Sequence, residues 1–479
     1  MGRLFGTDGI RGIANRDLSI RRAEEVGMAL AEVIRGEHPE KRPTVVIGRD
    51  TRLSGEMLQA ALAGGLMAGG ADVVLLCVGL DEILESEGMD RQHMELSKGQ
   101  QALIDGVCAV NGNVVLVLSG GAPFVMPERS KYRAAIHGYL GGQAGAGAMA
   151  DALLGKINPS GKLNESWPEK LSDNPSYPYF PSPERTAEYR EGLYIGYRYY
   201  DTAGVPVRYP FGYGLSYTGF AYSDLSASRE AVTFTVTNTG AMDGAEVAQV
   251  YVSCKDGKVF RPNKELKGFA KVFLKAGESK TVTVALDDKA FRYFNVKTDR
   301  WEIETANYEI SVASSVADVR LTACVHVEGT EAPVPYGSLP AYESGRIGAV
   351  SDTEFAELLG RPIPDGHWSG ELTRNDAICQ LYYAKCGVAR LAWKLLTWLK
   401  NRSEAKGTPD LNILFIYNMP FRAMGKMAGG MVCDEMVDDI VFLVNGHFFR
   451  GLGRVIRDFF RNMGRNKAFL KQLEANKEG

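Results

Sequence analysis

The sequence predicts an α/β plus all-β protein: a doubly wound α/β domain, then an antiparallel β-sandwich, then a helical C-terminal extension. Three observations carry this expectation. Apolar runs at Val73–Val78 and Val114–Leu118 alternate with helical segments, as buried parallel strands do. Val232, Phe234 and Val236 alternate with threonines across Ala231–Gly240, which reads as a half-buried strand. Beyond residue 350, apolar residues recur at helical spacing between charged ones.

Taken in order, residues 1–72 open with Phe5-Gly6-Thr7-Asp8-Gly9-Ile10-Arg11-Gly12, where glycines allow close approach of backbone to an anion. A helix is expected over Ile20–Ile34, a strand over Thr44–Ile47, and a second helix through Leu58 and Leu62 after Ser54, a capping residue. The strand Val73–Val78 leads into Gly79-Leu80-Asp81-Glu82-Ile83-Leu84-Glu85-Ser86-Glu87-Gly88-Met89-Asp90-Arg91, a loop dense in carboxylates. Ligands in open α/β sheets sit outside the carboxyl ends of the strands, so the loop emerges where a site is expected. A helix over Gln100–Val110, a strand over 113–118, a short strand near 134–139 and a helix over 143–154 complete the α/β domain, 73–217. Gly145–Ala150 formally fits a dinucleotide fingerprint, but no strand ending in an acidic residue follows, so close helix–sheet packing accounts for the glycines. His137 reads as a satisfied interior or interface residue rather than a base. The aromatic stretch Tyr177–Tyr217 reads as an extended segment packed between domains, with a sugar platform as the sharper alternative.

The sandwich, residues 218–327, adds strands at Val247–Ser253, Lys280–Leu286 and Tyr308–Ala313. Glu331–Pro340 is a Pro/Gly-rich linker. Helices are expected at Asp352–Leu359, Leu391–Leu399, Glu435–Asn445 and Gly451–Leu473. The last is amphipathic and basic, with Val455, Phe459 and Phe460 against Arg454, Arg457 and Arg461, and is read as solvated helix faces, with a membrane-surface helix as the alternative.

Bulk properties narrow the function. A chain of 479 residues suggests about three domains, and a net charge of −3 gives no electrostatic case for nucleic acid. The seven cysteines show no metal-ligand spacing and read as reduced thiols. No apolar leader or bilayer-length run stands out, so a cytoplasmic protein without a membrane partner is expected. Neither a metal nor a cofactor is expected.

Glu85-Ser86-Glu87-Gly88-Met89-Asp90-Arg91 resembles the acid/base loop of family 3 glycoside hydrolases. Asn158-Pro159-Ser160-Gly161-Lys162-Leu163, Gly192–Asp201 and Tyr209–Tyr217 follow in that family's order. The resemblance implies an α/β-sandwich domain, a fibronectin type III-like domain and, over 328–479, a linker with a helical extension. It implies β-glucosidase-like hydrolysis of a β-glucoside or oligosaccharide. It assigns Glu87 as acid/base, Glu85 as the second choice, and Asp90 and Arg91 as a substrate-side ion pair shaping the loop. In the family the nucleophilic aspartate sits in an N-terminal barrel of roughly 250 residues, which no stretch of this chain supplies. A barrel-bearing partner chain would complete the pair of carboxyl groups.

Phe5–Gly12 and Gly48-Arg49-Asp50-Thr51-Arg52 instead resemble the start of bacterial phosphoglucosamine mutases, with Thr7 and Arg11 in the phosphate-holding positions. The phosphoserine loop and the metal loop of that family are absent from the sequence that follows. The two resemblances meet near Ala71–Leu76, as in a fusion, natural or made during gene assembly. Three readings follow: a family 3 hydrolase, a mutase, and an inactive carbohydrate-binding fragment.

Overall fold

The computed structural model describes residues 19–37, 44–47, 62, 65, 73–81, 84–86, 90–181, 186–368, 370–405 and 409–475. The described residues within 1–80, 93–182 and 186–365 form one unit, and those within 81–92 and 366–479 belong to a second.

The first unit begins with α1 (Ile20–Glu37), β1 (Thr44–Ile47), β2 (Val73–Gly79), α2 (Lys98–Val110), β3 (Val114–Ser119), β4 (Ala134–His137) and α3 (Gly145–Leu153). The four strands make one parallel sheet in the order β1-β2-β3-β4, with Val46 opposite Leu75, Val74 opposite Val114 and Val115 opposite Ala134. Its first strand lies N-terminal to residue 73, so the sheet runs across the point where the sequence resemblance changes. Val74, Leu76, Val114 and Leu116 are buried, as strands covered on both faces require. The Ser97 hydroxyl caps α2, accepting from the Gln100 N–H at 3.2 Å.

The aromatic stretch follows, through β5 (Trp167–Pro168), α4 (Tyr197–Ala203) and β6 (Val207–Tyr209). It packs as the sequence suggests. Tyr209 and Tyr132 share a hydrogen bond between hydroxyls at 2.9 Å, joining the segment to the α/β layer. Tyr197 stacks on Phe211 at 4.6 Å and meets buried Tyr251 edge-on, joining it to the sandwich.

The sandwich has two antiparallel sheets. One runs β10 (Glu265–Leu274), β9 (Gly244–Cys254), β14 (Ala306–Ser315), β15 (Asp318–Val327); the other runs β11 (Ser279–Ala285), β8 (Ala231–Asn238), β7 (Phe220–Ala227). Phe234, Val250, Tyr308 and Val312 fill the space between. A short hairpin, β12 (Tyr293–Asn295) with β13 (Arg300–Glu302), extends from it.

The Glu331–Pro340 stretch is not a free tether. Asn295 donates to the Pro333 carbonyl at 2.7 Å, Lys297 to that of Val334 at 2.8 Å, and the Phe260 N–H to the Tyr336 hydroxyl at 2.6 Å. Composition signals a linker, but Tyr336 supplies an aromatic anchor that stacks near Phe260. The chain continues into α5 (Pro340–Glu343) and α6 (Asp352–Leu359), whose Tyr342 and Phe355 share a core with Tyr194.

The second unit holds α7 (Gly387–Glu404), α8 (Leu411–Asn418), α9 (Met424–Met427), α10 (Asp434–Val444) and α11 (Phe448–Ala475). Leu372, Leu381, Phe421, Val437 and Val444 form its core. The Asn445 amide pairs with both backbone groups of Leu372 at 2.8 Å. The α11 helix departs from expectation. Val455 and Phe459 are half-buried, but Phe460 lies 67% exposed on a face that is apolar rather than charged.

Candidate active site at the strand ends

The carboxyl ends of β2, β3 and β4 lie side by side, at Gly79, Ser119 and His137. Gly79 is tightly held there. A Cβ at this position would sit 1.9 Å from the Ser119 carbonyl oxygen, so no other residue fits. Buried Gln100, on α2, accepts from the Gly79 N–H at 3.0 Å and donates to the Gly79 carbonyl at 2.9 Å. The next N–H, of Leu80, donates to the Ser119 carbonyl at 3.0 Å. The point from which the acidic loop departs is therefore fixed by three hydrogen bonds.

Within the loop, the Leu84 N–H donates to Asp81 Oδ1 at 2.9 Å and the Glu85 N–H to the Asp81 carbonyl at 3.1 Å. Asp81 thus accepts from the N–H groups of both Leu84 and Glu85, and Glu85 is half-buried. Asp90 is exposed, its carbonyl accepting from Gln92 at 3.2 Å, and Arg91 is half-buried. Glu87, Thr7 and Arg11 lie outside the described residues. Of the predicted site, the structure therefore describes Glu85, Asp90 and Arg91.

Behind the strand ends lies a group the sequence reading did not assemble. The His137 ring sits 4.1 Å from that of Tyr139 and 5.2 Å from that of Trp167, which packs edge-on against Phe124 at 5.0 Å. Among the described residues, the buried Trp167 N–H finds no hydrogen-bonded partner. Burial pushes the His137 imidazole below its ordinary pKa, with a hydrogen bond to the Leu118 backbone opposing. His137 is interior, as the sequence suggests. Gln100 was also overlooked, although its signal is present: it is the one polar residue on the helix face that carries Leu103, Ile104 and Val107.

Among the described residues no cluster of His, Cys, Asp or Glu could hold a metal ion, and no helix is long and apolar enough to cross a membrane. All seven cysteines stand as free thiols.

Residues 28–217 match the glycosyl hydrolase family 3 C-terminal domain, and residues 246–316 match the fibronectin type III-like domain. The chain is 38% identical over 386 residues to thermostable beta-glucosidase B of Acetivibrio thermocellus, a match covering 79% of this chain and 47% of that protein. It is 44% identical over 320 residues to an exo-alpha-(1->6)-L-arabinopyranosidase of Bifidobacterium longum, covering 65% of this chain and 42% of that one. Among solved structures, the family 3 beta-glucosidase of Bifidobacterium adolescentis superposes with a TM-score of 0.56 at 39% identity, over 62% of this chain and 45% of its own. The beta-glucosidase of Kluyveromyces marxianus in complex with glucose gives 0.54 at 39%, over 56% and 33%. The chain spans less than half the length of these relatives.

Proposed function

We propose that this chain, which carries a glycoside hydrolase family 3 C-terminal domain and a fibronectin type III-like domain, is the acid-bearing part of a β-glucosidase-like hydrolase. One observation carries the reading. Within a domain that matches the family, the parallel sheet ends in a clasped glycine, and the loop leaving it holds Glu85 and Glu87.

A retaining glycosidase needs two carboxyl groups about 5–5.5 Å apart. In this proposal Glu87, or Glu85 in its place, protonates the glycosidic oxygen as the C–O bond breaks. A carboxylate of a barrel supplied by another chain attacks the anomeric carbon. The same glutamate then takes a proton from the water that hydrolyses the glycosyl ester. Asp90 and Arg91 shape the loop on the substrate side, and the reaction calls on no cofactor. A β-glucoside is the favoured substrate because several relatives are named beta-glucosidases. An arabinopyranoside is the second reading, from the relative at 44% identity.

The first 72 residues we read as a remnant of a phosphoglucosamine mutase, with Thr7 and Arg11 as phosphate-holding positions. Phe5–Gly12 and Gly48–Arg52 support that origin. The cysteine pattern favours a cytoplasmic site of action.

The test is hydrolysis of an aryl β-glucoside and an aryl arabinopyranoside by the chain alone and mixed with a family 3 barrel domain. Turnover is expected in the mixture alone and should vanish with Glu87→Gln. A mixture that stays silent, or one in which both Glu87→Gln and Glu85→Gln retain turnover, would sink the proposal.

A further inference from the structure

Helix α11 is packed inside out. Its buried positions include two polar residues, Asp458 and Asn462. Asn462 donates to the Gly430 and Met431 carbonyls at 2.7 and 3.2 Å, Asn466 donates to Gly430 at 2.8 Å, and Arg465 pairs with Glu435 of α10 at 3.0 Å. These contacts fix the rotation of the helix. Rolling it to hide its apolar side would break them.

The apolar side consequently faces solvent. Phe449, Ile456, Met463 and Leu470 recur at seven-residue spacing, with exposures of 87%, 49%, 53% and 58%. With Leu452 and Phe460 they form one continuous stripe on a helix of 3.6 residues per turn. A contiguous apolar surface of this kind marks an interaction site. Beside it lie cations: the 28-residue helix carries seven, Arg450, Arg454, Arg457, Arg461, Arg465, Lys467 and Lys471, against two acids, Asp458 and Glu474. Some are engaged locally, Arg457 and Arg461 by Asp458 and Arg454 by Asp439. Counted with Asp439 and with Glu435, which pairs with Arg465, the helix still holds a surplus of three positive charges (seven minus four).

We propose that α11 docks on the surface of an anionic lipid bilayer, its Phe449–Leu470 stripe entering the headgroup boundary and its cations meeting the lipid phosphates and carboxylates. An apolar stripe of Phe, Leu and Ile beside an Arg/Lys-rich face is the composition that lies in a bilayer interface. A second copy of this chain fits less well. In a helix pair the positions flanking the seam carry complementary charges; here they hold Gly453, Phe460 and Lys467 on one side and Val455, Asn462 and Phe469 on the other. Phe460 widens the stripe beyond a seam, and Lys467 is the one charged residue among these flanking positions, so a second copy finds no complementary charge there. The proposal stands apart from the hydrolase reading and concerns where the chain resides.

The test is co-sedimentation of the full chain with vesicles of phosphatidylcholine, and of phosphatidylcholine mixed with phosphatidylserine, at low and high salt. Binding is expected to the mixed vesicles only and to weaken with salt. Ile456→Gln with Phe460→Gln should abolish it, and Lys467→Glu with Lys471→Glu should lower it at least about tenfold. These side chains are exposed, so circular dichroism should remain that of the parent. Equal binding to both vesicles would overturn the anionic requirement. No binding, with a dimer split by the glutamine pair in sedimentation, would assign the stripe to a second copy and overturn the proposal. No binding by a monomer would overturn it too.

Discussion

Gln100 Nε2 donates to the Gly79 carbonyl while its Oε1 accepts from the Gly79 N–H, so one buried amide satisfies both polar groups of the residue that launches the acidic loop. Gln100→Ala would leave both groups buried and unpaired. An unpaired buried group costs about 1–3 kcal/mol, so urea unfolding followed by a probe in the α/β layer should show a loss of about 2–4 kcal/mol. In the barrel mixture the same variant should lower kcat more than it raises KM, because it acts by positioning the loop.

A second prediction concerns Arg261 and Glu304, an ion pair at 2.7 Å with both partners largely buried. Glu304 also accepts from the Lys258 N–H at 2.7 Å, and Arg261 donates to the Phe291 carbonyl at 3.0 Å. Removing one partner of such a pair strands the other charge, at a cost of about 3–5 kcal/mol. Glu304→Ala should therefore destabilise the sandwich by that amount in denaturant unfolding.

Glu435 gives a pH dependence. Its own backbone N–H, then Arg465 and the Cys433 thiol, hold its carboxyl at about 2, below the ordinary 4.5. The folded value is depressed, so the stabilisation is complete above the ordinary value and is lost as pH falls toward 2. A carboxyl-detected NMR titration should find the Glu435 midpoint near 2. Glu435→Gln should make the helical unit less sensitive to acid over that window.

Asp439 has the opposite sign. Burial, then the neighbouring Asp458, raises its pKa above the ordinary carboxylate value. The folded state therefore holds its proton more tightly, and Asp439 costs stability once pH rises past its folded value. Asp439→Asn keeps a donor toward Asp458 and removes one charge. Thermal unfolding should show it more stable than the parent at neutral pH, with the advantage shrinking toward pH values where Asp439 is protonated.

The strands that declared themselves in the sequence do so for a reason found in the structure. β2 and β3 are apolar because they are covered, and β8 alternates because one face is buried against Val250 and Tyr308. β10 escaped notice because Phe269 and Phe273 place aromatics on its exposed face, and a bulge between Leu266 and Gly268 breaks its period. β7 is broken likewise, between Ser223 and Ser226, where Asp224 adopts a φ of 55°. The acidic loop was legible because carboxylates crowd after an apolar run, whereas Gln100 acts through tertiary contact with a residue 21 positions away. The rotation of α11 was hidden for a similar reason. An amphipathic pattern names two faces, but only the carbonyls at Gly430 and Met431 decide which turns inward.

The anchored Pro333–Tyr342 strand of backbone bears on how this gene can be cut. A product ending at Val327, where the β-sandwich formally closes, would forfeit Tyr336 and Tyr342 and lay bare the aromatic floor of Tyr194 and Phe260. Such a shortened polypeptide should be sticky and protease-prone, whereas one ending after α6 should keep that floor covered. The smallest portable piece of this molecule is thus longer than its sheets alone.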